Sequence, residues 1–275
     1  MISPAFCFRH INNVCFHFNN YLNLIVKWEF IHKIKYLQQL MINFNSIRYR
    51  FYSIKIKLKS ARLKNPLLLK NPYMDLDNDC KCIFIHIPKC AGWSISNAIY
   101  GSQISHKRFL TYKHYDKDVL NKYFVFSLIR NPIERFVSAF NFLKSGGINK
   151  TDLYWSNLFL SEFDSINSFI KEMSANPKFL DFVVMKDHFQ KQCFFLEDEK
   201  GEIDKNIYLI PFNKISCLPK ILKSKVGLSI NLRHLNKTKY TKAKEELTKE
   251  SLDFLVNYYD DDIYLYESIC GDFKD

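Results

Sequence analysis

The chain has 275 residues, of which 47% are hydrophobic and 25% are charged, so it can bury the core of one domain that carries an extension. With seven glycines, eight prolines and 16% aromatic residues, it is not collagen-like, of low complexity or wholly disordered. The eight cysteines include no C-x-x-C pair, so neither a disulfide scaffold nor a structural zinc site is expected.

The net charge of +12 is concentrated at the amino-terminal end of the chain. Residues 1–70 contain 12 of the 40 Lys and Arg residues and one acidic residue, Glu29, which leaves a net charge of only +1 for residues 71–275. An enzyme that binds nucleic acid would more often spread its basic residues over the main domain. We therefore expect no nucleic-acid partner.

The basic extension has no pattern of a transmembrane segment or a signal peptide. Its best apolar stretch, residues 22–44, is interrupted by four charged side chains, whereas a span needs about 20 apolar residues. No cleavage site of small residues follows an apolar segment near the start of the chain. We therefore expect a cytoplasmic protein.

Two interpretations of the extension remain open. In the first it binds an acidic membrane surface, which would make the protein peripheral to a membrane. In the second it is a solvated helix followed by an edge strand, residues 54–59, that caps the main domain. We favour the second interpretation because charged faces usually contact only water.

The boundary of the main domain is predicted within residues 71–79, which are polar and rich in turn-forming residues. The charge of the chain also changes sign in this segment. We accordingly predict a basic extension over residues 1–78 and a single main domain over residues 79–275.

Short apolar runs alternate with helical patterns in the main domain. Buried parallel strands are predicted at residues 83–87, 123–129 and 207–212. Helices are predicted at residues 94–100, 132–144 and 247–259. This alternation indicates an α/β fold, in which helices cover a parallel sheet and ligands bind at the carboxyl ends of the strands.

The first candidate motif is Pro88–Ser94, with the sequence PKCAGWS, between the first predicted strand and helix. Gly92 allows the backbone to approach a ligand closely, and the start of the helix offers backbone N–H groups. Lys89 adds a positive charge and Ser94 a hydroxyl group, so the motif suits a phosphate-like dianion. It is not a Walker A loop, and an ordinary turn with a solvated Lys89 is the alternative.

The second candidate motif, residues 126–140, has the sequence FSLIRNPIERFVSAF. Arg130 ends the second predicted strand, and Ser138 lies two turns into the following helix. A guanidinium group and a hydroxyl group in these positions can bind a second phosphate. For Arg135 we expect an ion pair on the surface of the helix.

HIPKCAGWS followed by FSLIRNPIERFVSAF resembles the sulfotransferases that use 3′-phosphoadenosine 5′-phosphosulfate (PAPS). The pair is most similar to the carbohydrate type related to heparan sulfate 2-O-sulfotransferase and its bacterial relatives. The first motif resembles the family's 5′-phosphosulfate loop, and the second resembles its 3′-phosphate motif. The resemblance covers about residues 82–267, with weaker similarity at residues 187–192, 234–238 and 258–263.

The resemblance implies a three-layer α/β sandwich with a central parallel sheet, similar to the fold of P-loop NTPases. It implies PAPS as the sulfuryl donor, a hydroxyl group of a carbohydrate or other small molecule as the acceptor, and no metal. By position, the contacts to the 5′-phosphosulfate fall on Lys89, Ala91, Gly92, Trp93 and Ser94, and those to the 3′-phosphate fall on Arg130 and Ser138. Trp93 departs from the family pattern of Thr or Ser, so one hydroxyl group is lost.

Sulfuryl transfer also needs a base for the acceptor hydroxyl, and histidine is suited to this role near neutral pH. We assign the role to His106, which lies between the two motifs where bacterial relatives place a similar histidine. Lys89 would neutralise the charge that builds on the bridging oxygen. His114 is the competing base, His188 either orients the acceptor or packs, and His86 is expected to be structural.

Two other classes of function were compared with this interpretation. A small-molecule kinase on the same architecture should carry a Walker A loop and a strand-ending Asp for Mg²⁺, and the sequence shows neither. A noncatalytic basic protein that binds a polyanion or a membrane through residues 1–70 would leave both phosphate-binding motifs without a role. The sequence therefore favours a sulfotransferase.

Overall fold

The fold is described from a computed structural model of the chain, which describes residues 71–76, 80–232 and 247–273. Residues 1–70 of the basic extension and the segment of weaker similarity at residues 234–238 lie outside these ranges. The proposed domain boundary and the role of the extension therefore stay predictions.

Three strands form a parallel sheet: β1 (Cys82–Phe84), β2 (Phe124–Ile129) and β3 (Tyr208–Pro211). Their order is β1-β2-β3, so β2 lies between the other two. Ile83 pairs with Val125, and Leu128 pairs with Ile210. Because all three strands run in the same direction, their carboxyl ends lie at one edge of the sheet.

All three predicted strands are present, and each is shorter than predicted. The first ends at Phe84 rather than Ile87, because the backbone turns away from β2 one residue later. The Ile85 N–H still donates to the Phe126 carbonyl at 2.9 Å, whereas the Ile87 N–H donates back to the Ile85 carbonyl at 3.1 Å. His86, predicted inside the strand, therefore lies just after it.

Helices connect and flank the strands. The helices are α1 (Gly92–Tyr100), α2 (Phe109–Tyr115), α3 (Lys117–Leu120), α4 (Pro132–Lys144), α5 (Lys150–Phe159), α6 (Ile166–Ala175), α7 (Pro177–Val183), α8 (Cys193–Leu196), α9 (Leu218–Val226), α10 (Lys249–Tyr258) and α11 (Asp260–Asp272). Short 3₁₀ helices lie at Pro72–Asp75 and Phe212–Cys217. The mixed α/β class with a parallel sheet is thus confirmed.

The start of α4 follows directly from the local sequence. The Asn131 side chain caps the helix by accepting hydrogen bonds from the N–H groups of Ile133 and Glu134, at 3.1 and 3.2 Å. Pro132 occupies the first helical position, where its missing N–H costs nothing. This helix has the bounds predicted from the sequence.

Aromatic side chains hold α4 against neighbouring elements. The Phe136 ring lies 5.1 Å from that of Phe189 and 6.1 Å from that of Tyr259. These contacts fix α4 against the segment that precedes α8 and against the junction of α10 and α11. None of the described helices is long and apolar enough to cross a membrane.

Candidate active site

The loop between β1 and α1 has an unusual backbone. Lys89 and Ala91 adopt left-handed conformations, with φ of 69° and 57°, which costs a residue with a Cβ about 1 kcal/mol or more. Ala91 occupies the N-cap position of α1, and no described side chain caps this helix. A strained loop that leads into an uncapped helix N-terminus is well suited to binding an anion.

Lys89 is partly buried, which is the opposite of the solvated lysine considered as the alternative. Its Nζ atom lies 3.9 Å from the centroid of the Phe142 ring. Burial, together with the nearby positive charge of Arg130, lowers the pKa of Lys89 to about 8. Phe142 was not predicted as a site residue, although it lies four residues after Ser138 and thus on the same face of α4.

Arg130 directly follows β2 and contacts the first motif. Its Nη1 atom donates a hydrogen bond to the Lys89 carbonyl at 3.2 Å, and its guanidinium group lies 4.8 Å from the centroid of the Phe212 ring. Its buried Nε atom makes no hydrogen bond to any described residue, with the Glu134 carboxylate 3.7 Å away. The two motifs therefore meet, and the buried Nε atom has an ion-pair partner but no hydrogen-bond partner among the described residues.

The other predicted donor-binding residues lie on the two helices that follow these strands. Gly92, Trp93 and Ser94 form the first turn of α1, where the Trp93 side chain is 43% exposed. Ser138 is half-buried in the second turn of α4. Their contacts with a donor molecule stay a prediction.

Gly92 is packed against His86. A Cβ atom at Gly92 would overlap the imidazole ring of His86, closest to its Nε2 atom. That ring is buried, its Nδ1 atom lies 3.2 Å from the Ile104 carbonyl, and burial lowers the pKa of His86 to about 3. These contacts agree with the structural role predicted for His86, and the glycine is needed to make room for its ring.

Gly92→Ala should therefore destabilise the fold by about 1–3 kcal/mol, as expected when a methyl group is forced into a packed site. Chemical denaturation measures the change. Gly271→Ala in α11 is the matched control, because a Cβ atom there meets no atom within 4 Å. A Gly92→Ala variant as stable as the Gly271→Ala variant would contradict the packing described here.

His106 is oriented by the backbone of His86. Its Nδ1 atom lies 3.0 Å from the His86 carbonyl. Because a carbonyl oxygen only accepts hydrogen bonds, Nδ1 must carry the proton, which leaves the lone pair on Nε2. Burial lowers the pKa of His106 below its ordinary value, so the ring is neutral at pH 7 and can accept a proton.

Ring contacts connect His106 to the first motif. The centroid of its ring lies 6.1 Å from that of His188, and the His188 ring stacks on Phe142 at 5.2 Å. Phe142 is the ring that Lys89 contacts. The Nε2 atom of His114 instead lies 3.1 Å from the Glu199 carboxylate. Of the three candidate bases, His106 and His188 are connected to Lys89, whereas His114 is directed elsewhere.

A buried ion pair beside His106 was not predicted. The Lys186 Nζ atom lies 2.6 Å from the Asp152 carboxylate. Asp152 raises the pKa of His106 and Lys186 lowers it, and both effects are smaller than that of burial. The two residues are 34 positions apart, and no motif or periodicity in the sequence connects them.

The surface ion pair predicted for Arg135 is wrong. Arg135 is only 1% exposed, and its guanidinium group donates to the carbonyls of His188, at 3.0 Å, and of Gln190. Most of α4 is buried, so the position that would be solvated on a surface helix lies inside the protein. The charge is satisfied by backbone carbonyls from a distant part of the chain.

The described residues include no group of three or more His, Cys, Asp or Glu side chains that could hold a metal ion. The candidate site combines two cationic side chains, Lys89 and Arg130, with backbone N–H groups and the neutral His106. Lys89 and Arg130 lie together at the carboxyl edge of a parallel sheet. These features are suited to binding an anionic group such as the phosphate of a nucleotide.

A model of the sulfotransferase family matches residues 72–267. The match covers more than half of the chain, and the protein belongs to this family. It is a PAPS-dependent transferase. Searches among curated proteins and among solved structures gave no significant match.

Proposed function

We propose that this sulfotransferase moves the sulfuryl group of PAPS to a hydroxyl group of a carbohydrate acceptor. The observation that carries the proposal is the hydrogen bond from Arg130 to the Lys89 carbonyl, which joins the two anion-binding motifs. PAPS carries a phosphosulfate and a separate phosphate, and two adjacent cationic motifs match that distribution of charge. The carbohydrate class of the acceptor rests on the resemblance of both motifs to the 2-O-sulfotransferase type.

The residues fit the donor at both of its anionic ends. In this proposal, the 5′-phosphosulfate contacts Lys89 and the start of α1, from Ala91 to Ser94, where a strained and uncapped turn presents backbone N–H groups. The 3′-phosphate contacts Arg130 and Ser138. The buried Nε atom of Arg130, which has no described hydrogen-bond partner, is a donor that a phosphate oxygen would satisfy.

PAPS supplies the sulfuryl group and, as its leaving group, adenosine 3′,5′-bisphosphate. The acceptor oxygen forms a bond to sulfur while the bond from sulfur to the bridging phosphate oxygen breaks. His106 takes the proton of the acceptor hydroxyl on Nε2, the nitrogen that its hydrogen bond to the His86 carbonyl leaves unprotonated.

Lys89 stabilises the negative charge that develops on the bridging oxygen. Its pKa of about 8 keeps the amine mainly protonated at pH 7, and a neighbouring anion would raise that pKa further. Contact with the Phe142 ring on one side restricts the amine, so little reorganisation is needed during transfer. The protein thus contributes positioning and charge stabilisation, as in phosphoryl transfer.

Isothermal calorimetry with four ligands tests this proposal. Adenosine 3′,5′-bisphosphate and PAPS should bind, and ATP with Mg²⁺ should bind more weakly, because the site has an extra cation for a 3′-phosphate and no Walker A loop. Transfer is then measured with ³⁵S-labelled PAPS and a panel of neutral and acidic oligosaccharides. Adenosine 5′-phosphosulfate, which lacks the 3′-phosphate, is the matched control ligand.

Tighter binding of ATP with Mg²⁺ than of adenosine 3′,5′-bisphosphate would favour the kinase alternative and contradict the proposal. Equal binding of PAPS and adenosine 5′-phosphosulfate would contradict the role of Arg130 and Ser138. Transfer to a noncarbohydrate hydroxyl alone would leave the reaction intact and overturn the acceptor class.

A further inference from the structure

Residues 188–193 lead from the turn after α7 into the first residue of α8, and this segment borders both motifs. Its backbone is held by three buried side chains. Arg135 donates to two of its carbonyls, the Tyr259 hydroxyl donates to the Phe189 carbonyl at 2.6 Å, and Asp262 accepts from two of its N–H groups. These contacts come from α4 and from the carboxy-terminal helices, so the segment is fixed on two sides.

One side chain of this segment, Gln192, is fully buried and bonds to the backbone of Arg130. Its Oε1 atom accepts from the Arg130 N–H at 3.0 Å, and its Nε2 atom donates to the Arg130 carbonyl at 2.8 Å. β2 ends at Ile129, so both backbone groups of Arg130 need partners outside the sheet ladder. The amide of Gln192 supplies a donor and an acceptor together.

The same amide also contacts the phosphosulfate loop. The Cys90 Sγ atom lies 3.5 Å from Oε1 of Gln192, and both side chains are fully buried. Gln192 therefore connects the backbone of Arg130 to the residue that follows Lys89. This connection is independent of the hydrogen bond between the Arg130 guanidinium group and the Lys89 carbonyl.

Asp262 in α11 holds Gln192 in turn. Its Oδ2 atom accepts from the Gln192 N–H at 2.7 Å, and its Oδ1 atom accepts from the Cys193 N–H at 2.9 Å. Asp262 is fully buried, and burial of a carboxylate is costly unless its oxygens are hydrogen-bonded. Both oxygens are used here to fix the backbone at the start of α8.

We propose that Gln192 and Asp262 are positioning residues for the PAPS donor. Asp262 fixes the backbone of Gln192, and the Gln192 amide fixes the backbone of Arg130 relative to the phosphosulfate loop. The inference rests on the proposed function, because it takes Arg130 as the ligand of the 3′-phosphate. It gives a role to Gln192 and Asp262, one residue in each of the segments 187–192 and 258–263 that resemble the family.

Gln192→Met is the direct test, because methionine has a similar length and cannot pair with the Arg130 backbone. Calorimetry should show that the folded variant binds adenosine 3′,5′-bisphosphate about tenfold more weakly. The reason is that Arg130, which binds the 3′-phosphate in this proposal, loses one or two hydrogen bonds that orient it. The KM for PAPS should rise, while the KM for the acceptor should not change. A residue that only supports the fold would not separate the two KM values.

Gln190→Met is the matched control, because the Gln190 side chain makes no hydrogen bond to the described residues and its carbonyl is unaffected by the change. It should bind adenosine 3′,5′-bisphosphate as the wild type does. Asp262→Asn replaces one accepting oxygen with an NH₂ group and should weaken binding less than Gln192→Met does. If circular dichroism shows that Gln192→Met does not fold, the same binding measurement is made on Asp262→Asn instead.

Wild-type affinity in a folded Gln192→Met variant, or in folded Asp262→Asn where the first variant is unfolded, would overturn the inference. The Arg130→Ala variant separates this failure from that of the proposed function. If the folded wild type does not bind adenosine 3′,5′-bisphosphate, the proposed function itself fails. If the wild type binds, Arg130→Ala does not, and Gln192→Met does, only the positioning role fails.

Discussion

Replacing His106 with alanine should lower kcat by about 10²–10⁴-fold and leave the affinity for PAPS nearly unchanged, because a general base acts in the transition state. The hydrogen bond to the His86 carbonyl leaves Nε2 of His106 as the unprotonated nitrogen. Nothing in this role requires His106 to hold the donor. Steady-state kinetics with ³⁵S-labelled PAPS gives kcat, and calorimetry gives the donor affinity.

His114→Ala is the matched control, since His114 is paired with Glu199 and should not take part in transfer. A folded His106→Ala variant that retains the wild-type kcat would contradict the assignment. His188→Ala distinguishes the remaining candidate, because the His188 ring is connected to Lys89 through Phe142. If the acidic limb of the rate profile survives in His106→Ala and vanishes in His188→Ala, the base is His188.

The wild-type rate should fall on acidification, because protonated His106 cannot accept a proton. Burial lowers the pKa of His106, so the midpoint of this acidic limb should lie below the ordinary histidine value of about 6.5. At pH 7 His106 should therefore already be mainly in the neutral form that can accept a proton.

A fall in rate caused by unfolding must be distinguished from one caused by protonation of His106. Burial lowers the pKa of His86 to about 3 and also lowers those of His106 and His188. Below a pH of about 6.5 the unfolded chain binds protons that these folded histidines exclude, so the free energy of unfolding falls as the pH decreases. Circular dichroism over the same pH range shows whether the protein stays folded where the rate falls.

The parts of the site that local sequence predicts are those that a few consecutive residues determine. Asn131 and Pro132 specify the start of α4 by capping and by backbone geometry. A short apolar run before each motif places Lys89 and Arg130 at the carboxyl ends of parallel strands. The class of fold and the two cationic motifs follow from such patterns.

The contacts that connect these motifs could not be predicted, because they join distant parts of the chain. Arg135 resembles any charged residue on a surface helix until the carbonyls of residues 188 and 190 are placed beside it. Asp152 and Lys186, and likewise Arg130 and Gln192, pair over separations that no helical or strand period encodes. Sequence patterns report which face of an element is buried, and they do not report which polar partner meets it there.

The binding of adenosine 3′,5′-bisphosphate should depend on Arg130 far more than on Lys89. Arg130→Ala should weaken it by about 1.5–3 kcal/mol, the usual contribution of a hydrogen bond to a charged group. Lys89→Ala should instead lower kcat more than it lowers this affinity, because Lys89 lies at the 5′ end of the ligand, away from the 3′-phosphate, and stabilises the charge that builds on the bridging oxygen during transfer. Calorimetry and transfer kinetics on both variants measure the two effects.

Lys178→Ala is the control for loss of one positive charge, since Lys178 is exposed on α7 and its charge is screened by solvent. It should change neither the affinity nor kcat. Arg130 differs because its guanidinium group is held by the Lys89 carbonyl and by the Phe212 ring, with a buried Nε atom that has no described hydrogen-bond partner. A folded Arg130→Ala variant that binds adenosine 3′,5′-bisphosphate as tightly as Lys178→Ala would show that the 3′-phosphate lies elsewhere.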